Sequence, residues 1–487
     1  MKKRLELLLY ILLSLGCLNP ALAQGPQSEP DSKRPNIVLI MCDDLGWGDV
    51  GFNGNTEVKT PNLDRLAAKG IKFNRFYSAG PVCSPTRASC LTGRNPFRMG
   101  IYTANTGFLK PEEITLPELL KKEGYATGHF GKWHLGTLTT TLRDANRGRP
   151  RDSSNYTIPT SHGYDTYFVT ESKVPTYDPM VKPAVFDTLR GENLRYGWAA
   201  LENPHDPRKV ESYGTYYWTG PEQLELKNLE GSDSRVIMDR ALPFIEKAVE
   251  RERPFFSVIW FHTPHLPLVA TREYRKKYGH LPYKHQLFYA SITRMDEQVG
   301  RLWDELEALG KAENTMLWFC SDNGPENGTP GSAGPFRARK RSLYEGGVRV
   351  PAFAVWPAHF KPDQMVDAPS VTSDYLPTLI DYLNILYPDG DRPLDGISLK
   401  PILDGKQIRR NSPIGFQAKA HKMSWVTDRY KLISVDDGNT FELYDLLKDR
   451  GETTDIASDR PKEVARLRQR LLTWVTSCAQ SDHGKDY

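Results

Sequence analysis

The chain has 487 residues, 39% hydrophobic and 25% charged, which is the composition of a soluble globular protein long enough for one large domain and a smaller one. A mean hydropathy of −0.53 argues against a multi-span membrane protein. A formal charge of +4 gives no case for nucleic-acid binding.

Residues 1–23 read as a signal peptide: Lys2, Lys3 and Arg4 open it, 7–15 is a short apolar run, and Ala21-Leu22-Ala23 offers a cleavage site. The apolar run is shorter than the ~20 residues of a spanning helix. Leu15-Gly16-Cys17 resembles part of a lipobox, so a lipoprotein anchor at Cys17 is the alternative to plain cleavage. Either way the expected location is periplasmic or secreted, with no transmembrane segment after signal removal. That segment also carries Glu6, so losing it takes the formal charge from +4 to +2. Cys42, Cys83, Cys90, Cys320 and Cys478 would remain, an odd number at scattered spacings that is not a disulfide framework. With one cysteine reserved for chemistry, four are left that can pair.

Residues 24–34 are polar, rich in proline and serine, and read as a linker. The apolar run over 36–42 suits a central strand buried on both faces. It ends in Asp43-Asp44. Adjacent carboxylates at the end of a buried strand are costly unless a cation pairs with them or they cap a helix at the solvent. A capped helix over 60–70 and a strand over 71–77 follow. The stretch 81–94 is a loop turning into a helix, with Ser84 a good N-cap, Pro85 a good first helical residue and Gly93 a good terminator. Cys83 then stands just ahead of a helix N-terminus, where free amides favour anions, and Arg87 projects from the same side four residues on. A helix over 116–124 and a strand over 125–130 continue the alternation, which implies an α/β layered domain with a largely parallel sheet. Beyond them, Lys132 and His134 are two apart in an extended segment and can address one ligand.

Residues 137–230 read as a variable insertion rich in Arg, Thr, Asn, Pro and Tyr, of the kind that lines the mouth of a site. Its aromatic strings, Tyr196-Gly197-Trp198 and 213–218, either stack on sugar faces or pack within the insertion. A helical stretch over 234–252 leads to a buried strand over 254–261, which ends in His262-Thr263-Pro264-His265. Two histidines three apart can form a zinc half-site, although no third ligand is spaced nearby. A helix over 289–309 and a strand over 314–320 precede Ser321-Asp322-Asn323-Gly324. Hard oxygens again stand at a strand end, where open α/β sheets bind ligands. A basic run over 337–341 follows. Beyond about 401, short strands alternate with turns before a last helix over 461–476, a small antiparallel sheet with a helix.

The string Cys83-Ser84-Pro85-Thr86-Arg87-Ala88-Ser89-Cys90-Leu91-Thr92-Gly93-Arg94 resembles the signature of the type I, formylglycine-dependent sulfatase family of the alkaline phosphatase superfamily. Asp43-Asp44, Gly131-Lys132-Trp133-His134, Pro264-His265, Asp322-Asn323 and Lys340 ahead of Tyr344-Glu345-Gly346-Gly347 are similar to further motifs of that family, over roughly 35–474. The resemblance implies an alkaline phosphatase-like catalytic domain over 35–400 and a C-terminal α+β subdomain over 401–487. It implies that Cys83 is oxidised to formylglycine (3-oxoalanine) by a separate formylglycine-generating enzyme. It implies a Ca2+ ion held by Asp43, Asp44, Asp322, Asn323 and the modified Cys83. Catalytic roles pass to Arg87, His134 and His265, sulfate binding to Lys132 and Lys340, and a supporting role to His262. One further polar contact comes from Glu171, Ser172 or Lys173. Arg337, Arg339 and Arg341 either touch substrate or are surface charge.

The activity so implied is hydrolysis of a sulfate ester on a sulfated carbohydrate or polysaccharide fragment. A hydrated aldehyde attacks sulfur, His265 with Lys340 protonates the departing alcohol, and His134 assists release of sulfate. The alternatives are a phosphodiesterase or phosphonate monoester hydrolase of the same superfamily, or an inactive secreted carbohydrate-binding protein.

Overall fold

A twisted ten-stranded sheet carries the large domain in the computed structural model, which describes residues 34–187, 191–390 and 392–487. The expected signal peptide, Cys17 and all but the last residue of the linker lie outside the described residues. In chain order the strands are β1 (Asn36–Cys42), β2 (Ile71–Phe73), β3 (Ala126–Lys132), β4 (Thr166–Thr170), β5 (Tyr217–Gly220), β6 (Gln223–Leu224), β7 (Phe255–Trp260), β8 (Thr315–Ser321), β9 (Phe353–Val355) and β10 (Gln364–Val366). Their order across the sheet is β6-β5-β4-β3-β7-β1-β8-β9-β2-β10. The five at the centre, β4-β3-β7-β1-β8, are mutually parallel.

Side-chain alternation on β1 explains why this strand is central. Ile37, Leu39 and Met41 enter the core on one face, and Val38, Ile40 and Cys42 the core on the other. Helices α1 (Pro61–Ala68), α2 (Cys83–Thr92), α3 (Leu116–Lys122), α4 (Asp233–Glu250), α5 (Tyr283–Ala308) and α6 (Tyr375–Tyr382) cover the two faces. Leu91 of α2 and Leu376 and Leu379 of α6 pack with the first set, and Leu63 of α1, Ile237 of α4 and Leu302 of α5 with the second.

Three local expectations are corrected. Helix α2 begins at Cys83, with Val82 in the cap position, so Cys83 is its first residue rather than the one ahead of it, and Ser84 is not the cap. The strand over 71–77 is broken by a turn at Asn74-Arg75, and Phe76–Tyr77 pairs with Ser370–Val371 outside the main sheet. The stretch 137–230 is not all insertion, because β4, β5 and β6 belong to the central sheet.

The C-terminal strands β11 (Ile414–Ala418), β12 (Lys422–Val426), β13 (Tyr430–Ser434) and β14 (Glu442–Asp445) form an antiparallel sheet against α7 (Pro461–Asp482). Leu467 and Leu471 of α7 pack on Trp425 and Leu432. Gly415 is required where the helix meets β11, since a Cβ there would lie 2.6 Å from the Trp474 ring. Residues 35–487 form one compact unit, and a buried ion cluster ties the small sheet into it. Lys431 of β13 stands 3.0 Å from Glu345 and 2.9 Å from Glu452, all three without solvent contact on the charged side chains of the pairs. Removing one partner of a buried pair strands the other charge. Lys431→Met is therefore expected to cost about 3–5 kcal/mol of stability, read as a lowered urea midpoint with unchanged slope.

Candidate active site

The parallel strands deliver the site residues to one end of the sheet. The β1–β8 register sets Cys42 opposite Ser321, so Asp43-Asp44 and Asp322-Asn323 emerge side by side. Lys132 closes β3, and His262 and His265 follow β7. All leave the carboxyl ends of parallel strands. Asp44 takes a left-handed conformation, φ 66°, which turns its N–H to donate to Asp322 Oδ1 at 3.2 Å.

Helix α2 supplies a sulfur and a guanidinium to the same point. The Cys83 thiol donates to Asp43 Oδ1 at 3.5 Å. Arg87 Nη2 donates to Asp322 Oδ2 at 2.7 Å, lies 3.9 Å from Asp43 Oδ1, and its guanidinium sits 5.0 Å over the Trp260 ring. Lys132 Nζ donates to Asp43 Oδ2 at 2.7 Å, and Lys340 Nζ donates to Asp44 Oδ1. Asn323 Nδ2 donates to the same Asp44 oxygen at 2.7 Å. Three buried carboxylates thus face three buried cations.

Those contacts set the charge states. Burial alone would raise Asp43, but Lys132, His265, Arg87 and Lys340 hold it well below the ordinary carboxylate value. Burial, then the negative Asp43, pushes Asp322 up to about 7. Burial opposes charge on Lys340, yet Asp44 keeps its ammonium well above the usual lysine value. The Cys83 thiol is pushed up to about 12, by burial and then by Asp322.

A hard cation fits this floor. Asp44 Oδ2 and Asn323 Oδ1 are buried acceptors without a hydrogen-bond partner. Asp43, Asp44, Cys83 and His265 offer ligand atoms that all lie within 4.8 Å of one another. Because the carboxylates are already matched by cations, a dication would leave the site positive until an anion entered.

Above the floor opens a cavity of about 620 Å³ lined by Cys83, Lys132, His134, His265 and Lys340. Arg87, Asp43, Asp44, Asp322 and Asn323 lie beneath it, out of contact with solvent. His134 reaches it by a left-handed turn, φ 55°, beyond the end of β3, and not by alternation along a strand. Its Nε2 is bonded to Asn105 Oδ1 at 2.7 Å. Burial, with Lys132 second, keeps it neutral well below the usual imidazole value. His265 Nδ1 donates to the Leu266 carbonyl at 2.7 Å, which aims Nε2 at Asp44 Oδ2, 3.5 Å away. Burial lowers His265 to about 4, against the pull of Asp43 and Asp44.

Several sequence alternatives resolve here. His262 is no zinc ligand, since Nδ1 meets Asp233 Oδ2 at 2.8 Å and Nε2 meets Thr170 Oγ1 at 2.7 Å. Glu171 turns away to Arg147 Nε at 2.8 Å, whereas Ser172 and Lys173 line the cavity. Of the three arginines only Arg341 lines it; Arg339 donates to the Glu326 and Thr329 carbonyls, and Arg337 stacks 3.8 Å over Tyr344. Trp198, Tyr217 and Trp218 are buried in the protein, while Tyr213 and Tyr216 line a neighbouring cavity. All five described cysteines are free and buried. Asn105, Asn146 and the hairpin lysines Lys419 and Lys422 also line the cavity and carry no sequence signal. Each reaches it through tertiary packing alone.

The family description Sulfatase matches residues 35–385. The chain belongs to the sulfatase family. It is a sulfuric ester hydrolase with the alkaline phosphatase-like fold, and the C-terminal description of N-sulphoglucosamine sulphohydrolase matches its residues 334–477. This sulfatase is 35% identical over 457 residues to N-acetylgalactosamine-6-sulfatase of Rattus norvegicus, covering 86% of this chain and 76% of that one. Ps i-CgsB, solved in complex with k-i-k-neocarrahexaose, superposes with a TM-score of 0.73 at 24% identity, over 92% of the sulfatase and 94% of that chain. A chain solved from the glycosaminoglycan metabolism of Bacteroides thetaiotaomicron gives 0.71 at 26%, over 91% and 100%. Among the described residues no helix is long and apolar enough to cross a membrane.

Proposed function

We propose that this sulfatase removes sulfate from a sulfated carbohydrate outside the cytoplasm, with Cys83 as the position of a formylglycine nucleophile and calcium against Asp43, Asp44, Asp322 and Asn323. The observation that carries the reading is the meeting of Cys83, three carboxylates and three cations at the floor of one cavity. The carbohydrate part is supported by the relative that is an N-acetylgalactosamine-6-sulfatase and by the oligosaccharide-bound neighbour.

When in place, the hydrated aldehyde supplies an oxygen nucleophile and the calcium ion supplies positive charge to the ester oxygens. The chain's own residues do the rest. Arg87, clamped between Asp322 and Trp260, and Lys132, clamped on Asp43, present fixed cations to a sulfate group. Lys340 stays charged on Asp44 and also lines the cavity. His265, held by the Leu266 carbonyl with Nε2 3.5 Å from Asp44 Oδ2, lines the cavity and is the group to address the leaving oxygen. An entering sulfate ester favours the imidazolium and loads that nitrogen with the proton to be given. His134, fixed by Asn105, stands neutral beside Lys132 and can take up a proton as sulfate departs.

Two measurements check this. His265→Asn is expected to lower kcat on a sugar sulfate by on the order of a hundredfold, and much less on 4-nitrophenyl sulfate, whose leaving group needs no proton. Equal losses on both would remove His265 from the acid role. An aryl sulfate is expected to be cleaved with higher kcat/KM than the matching aryl phosphodiester. The reverse order would make the enzyme a diesterase by preference.

A further inference from the structure

A second cavity of about 500 Å³ adjoins the catalytic one, and Asn146, Ser172 and Lys173 line both. It is walled by Arg143, Lys173, Lys182, Tyr213 and Tyr216, and no carboxylate lines it among the described residues. We infer that this cavity is a subsite for the sugar next to the one that loses sulfate, and that it selects a neighbour bearing its own carboxylate or sulfate. The inference rests on the sulfated-carbohydrate reading above and adds to it a polyanionic substrate class.

Charge makes the first argument. Lys132, Lys340 and Arg87 are each matched by a carboxylate at the catalytic floor. Lys173 and Arg143 have no ion-pair or hydrogen-bond partner among the described residues, and Lys182 meets only the exposed Glu211, at 3.5 Å. Lys173 is half-buried, and burial, with Lys132 and Lys340 next, lowers its ammonium below the ordinary lysine value. An unmatched, partly desolvated cation gains most from an anion brought to it.

Rigidity makes the second. The loop that carries Arg143 and Asn146 is clamped to the segment 213–218, which carries Tyr213 and Tyr216 and runs into β5. Asp144 accepts from Trp218 Nε1 at 2.8 Å and from the Tyr216 N–H at 3.0 Å, and the Ala145 N–H donates to the Gly214 carbonyl at 2.8 Å. Arg147, buried against Glu171, pins the next residue. The backbone that carries Arg143 and the aromatic wall is therefore held in place, as a sugar subsite requires. Ser172 and Lys173 line both cavities, so a substrate that fills them would carry its two anionic groups on adjoining sugars.

The test uses two disaccharides with the same scissile sulfate, one carrying a carboxylate or second sulfate on the neighbouring sugar and one with that sugar neutral. The matured enzyme is expected to favour the first by about tenfold or more in kcat/KM, and the Arg143→Ala/Lys182→Ala double variant to lose most of that ratio. Binding of both disaccharides to Cys83→Ala protein, measured by calorimetry, is expected to show the same ratio in Kd and the same loss. Equal handling of the two sugars by the parent enzyme, or an unchanged ratio in the double variant, overturns the subsite. Failure to release sulfate from either disaccharide speaks against the sulfated-carbohydrate reading instead, and the binding ratio still decides the subsite.

Discussion

Cys83→Ala is expected to abolish sulfate release, by a factor on the order of 10⁴ or more, while the melting temperature stays close to that of the parent. The side chain is small and its one polar contact is the 3.5 Å thiol bond to Asp43, so its loss leaves a minor void and no unpaired charge. Asp43 keeps Lys132 at 2.7 Å, and α2 keeps its packing through Ala88, Cys90 and Leu91. Position 83 is by contrast the one nucleophilic side chain at the mouth of the uncapped α2 N-terminus, where its sulfur opens both to the cavity and to the carboxylates. Peptide mass spectrometry of active enzyme from its own host is expected to find the aldehyde at that position. Full activity with an intact thiol, or retained activity in the alanine variant, would sink the nucleophile assignment.

Calcium is expected to raise the melting temperature of the parent protein, and Asp322→Asn to remove most of that rise. A ligand at a hundred times its dissociation constant adds about 2.7 kcal/mol, a shift of a few degrees at this size. The asparagine keeps the shape of the side chain and an acceptor for Arg87, but takes away one of three carboxylate charges that converge from β1 and β8. It also lowers the baseline stability, because Arg87 is fully buried and keeps only the distant Asp43 as a charge partner, at 3.9 Å. The quantity to compare is therefore the calcium-dependent increment in each protein, measured against a chelator control. An increment equal to that of the parent would take Asp322 out of the metal set.

The apolar runs that form β1, β7 and β8 are legible because a strand buried on both faces is almost wholly apolar along its length, with Ser257 inside β7 the exception, and each run ends in the carboxylates or histidines of the site. The motifs around Cys83 and Lys132 are legible through their resemblance to sulfatase motifs, since residue chemistry alone fits an ordinary buried cysteine and a surface lysine equally well, and their convergence on the paired aspartates is visible only in the fold. The start of α2 differs from expectation because Ser84 and Pro85 are a good cap pair locally, whereas the helix begins two residues earlier, at Cys83, with Val82 in the cap position. His134 was paired with Lys132 for the wrong reason. Strand alternation stops at Lys132, and a left-handed residue does the turning.

Order along the chain thus determined the α/β class and the strand ends at which carboxylates gather, because hydrophobic period is a local property, while the choice of Cys83 among the cysteines came from the resemblance of its motif to the sulfatase signature. Only the tertiary structure decided which cations are already matched, that Glu171 is spent on Arg147, that Asn105 orients His134, and that Arg143 and Lys173 face a cavity without a carboxylate. Those pairings join residues tens to hundreds of positions apart, and charge compensation between such partners depends on distance and burial, which spacing along the chain does not encode.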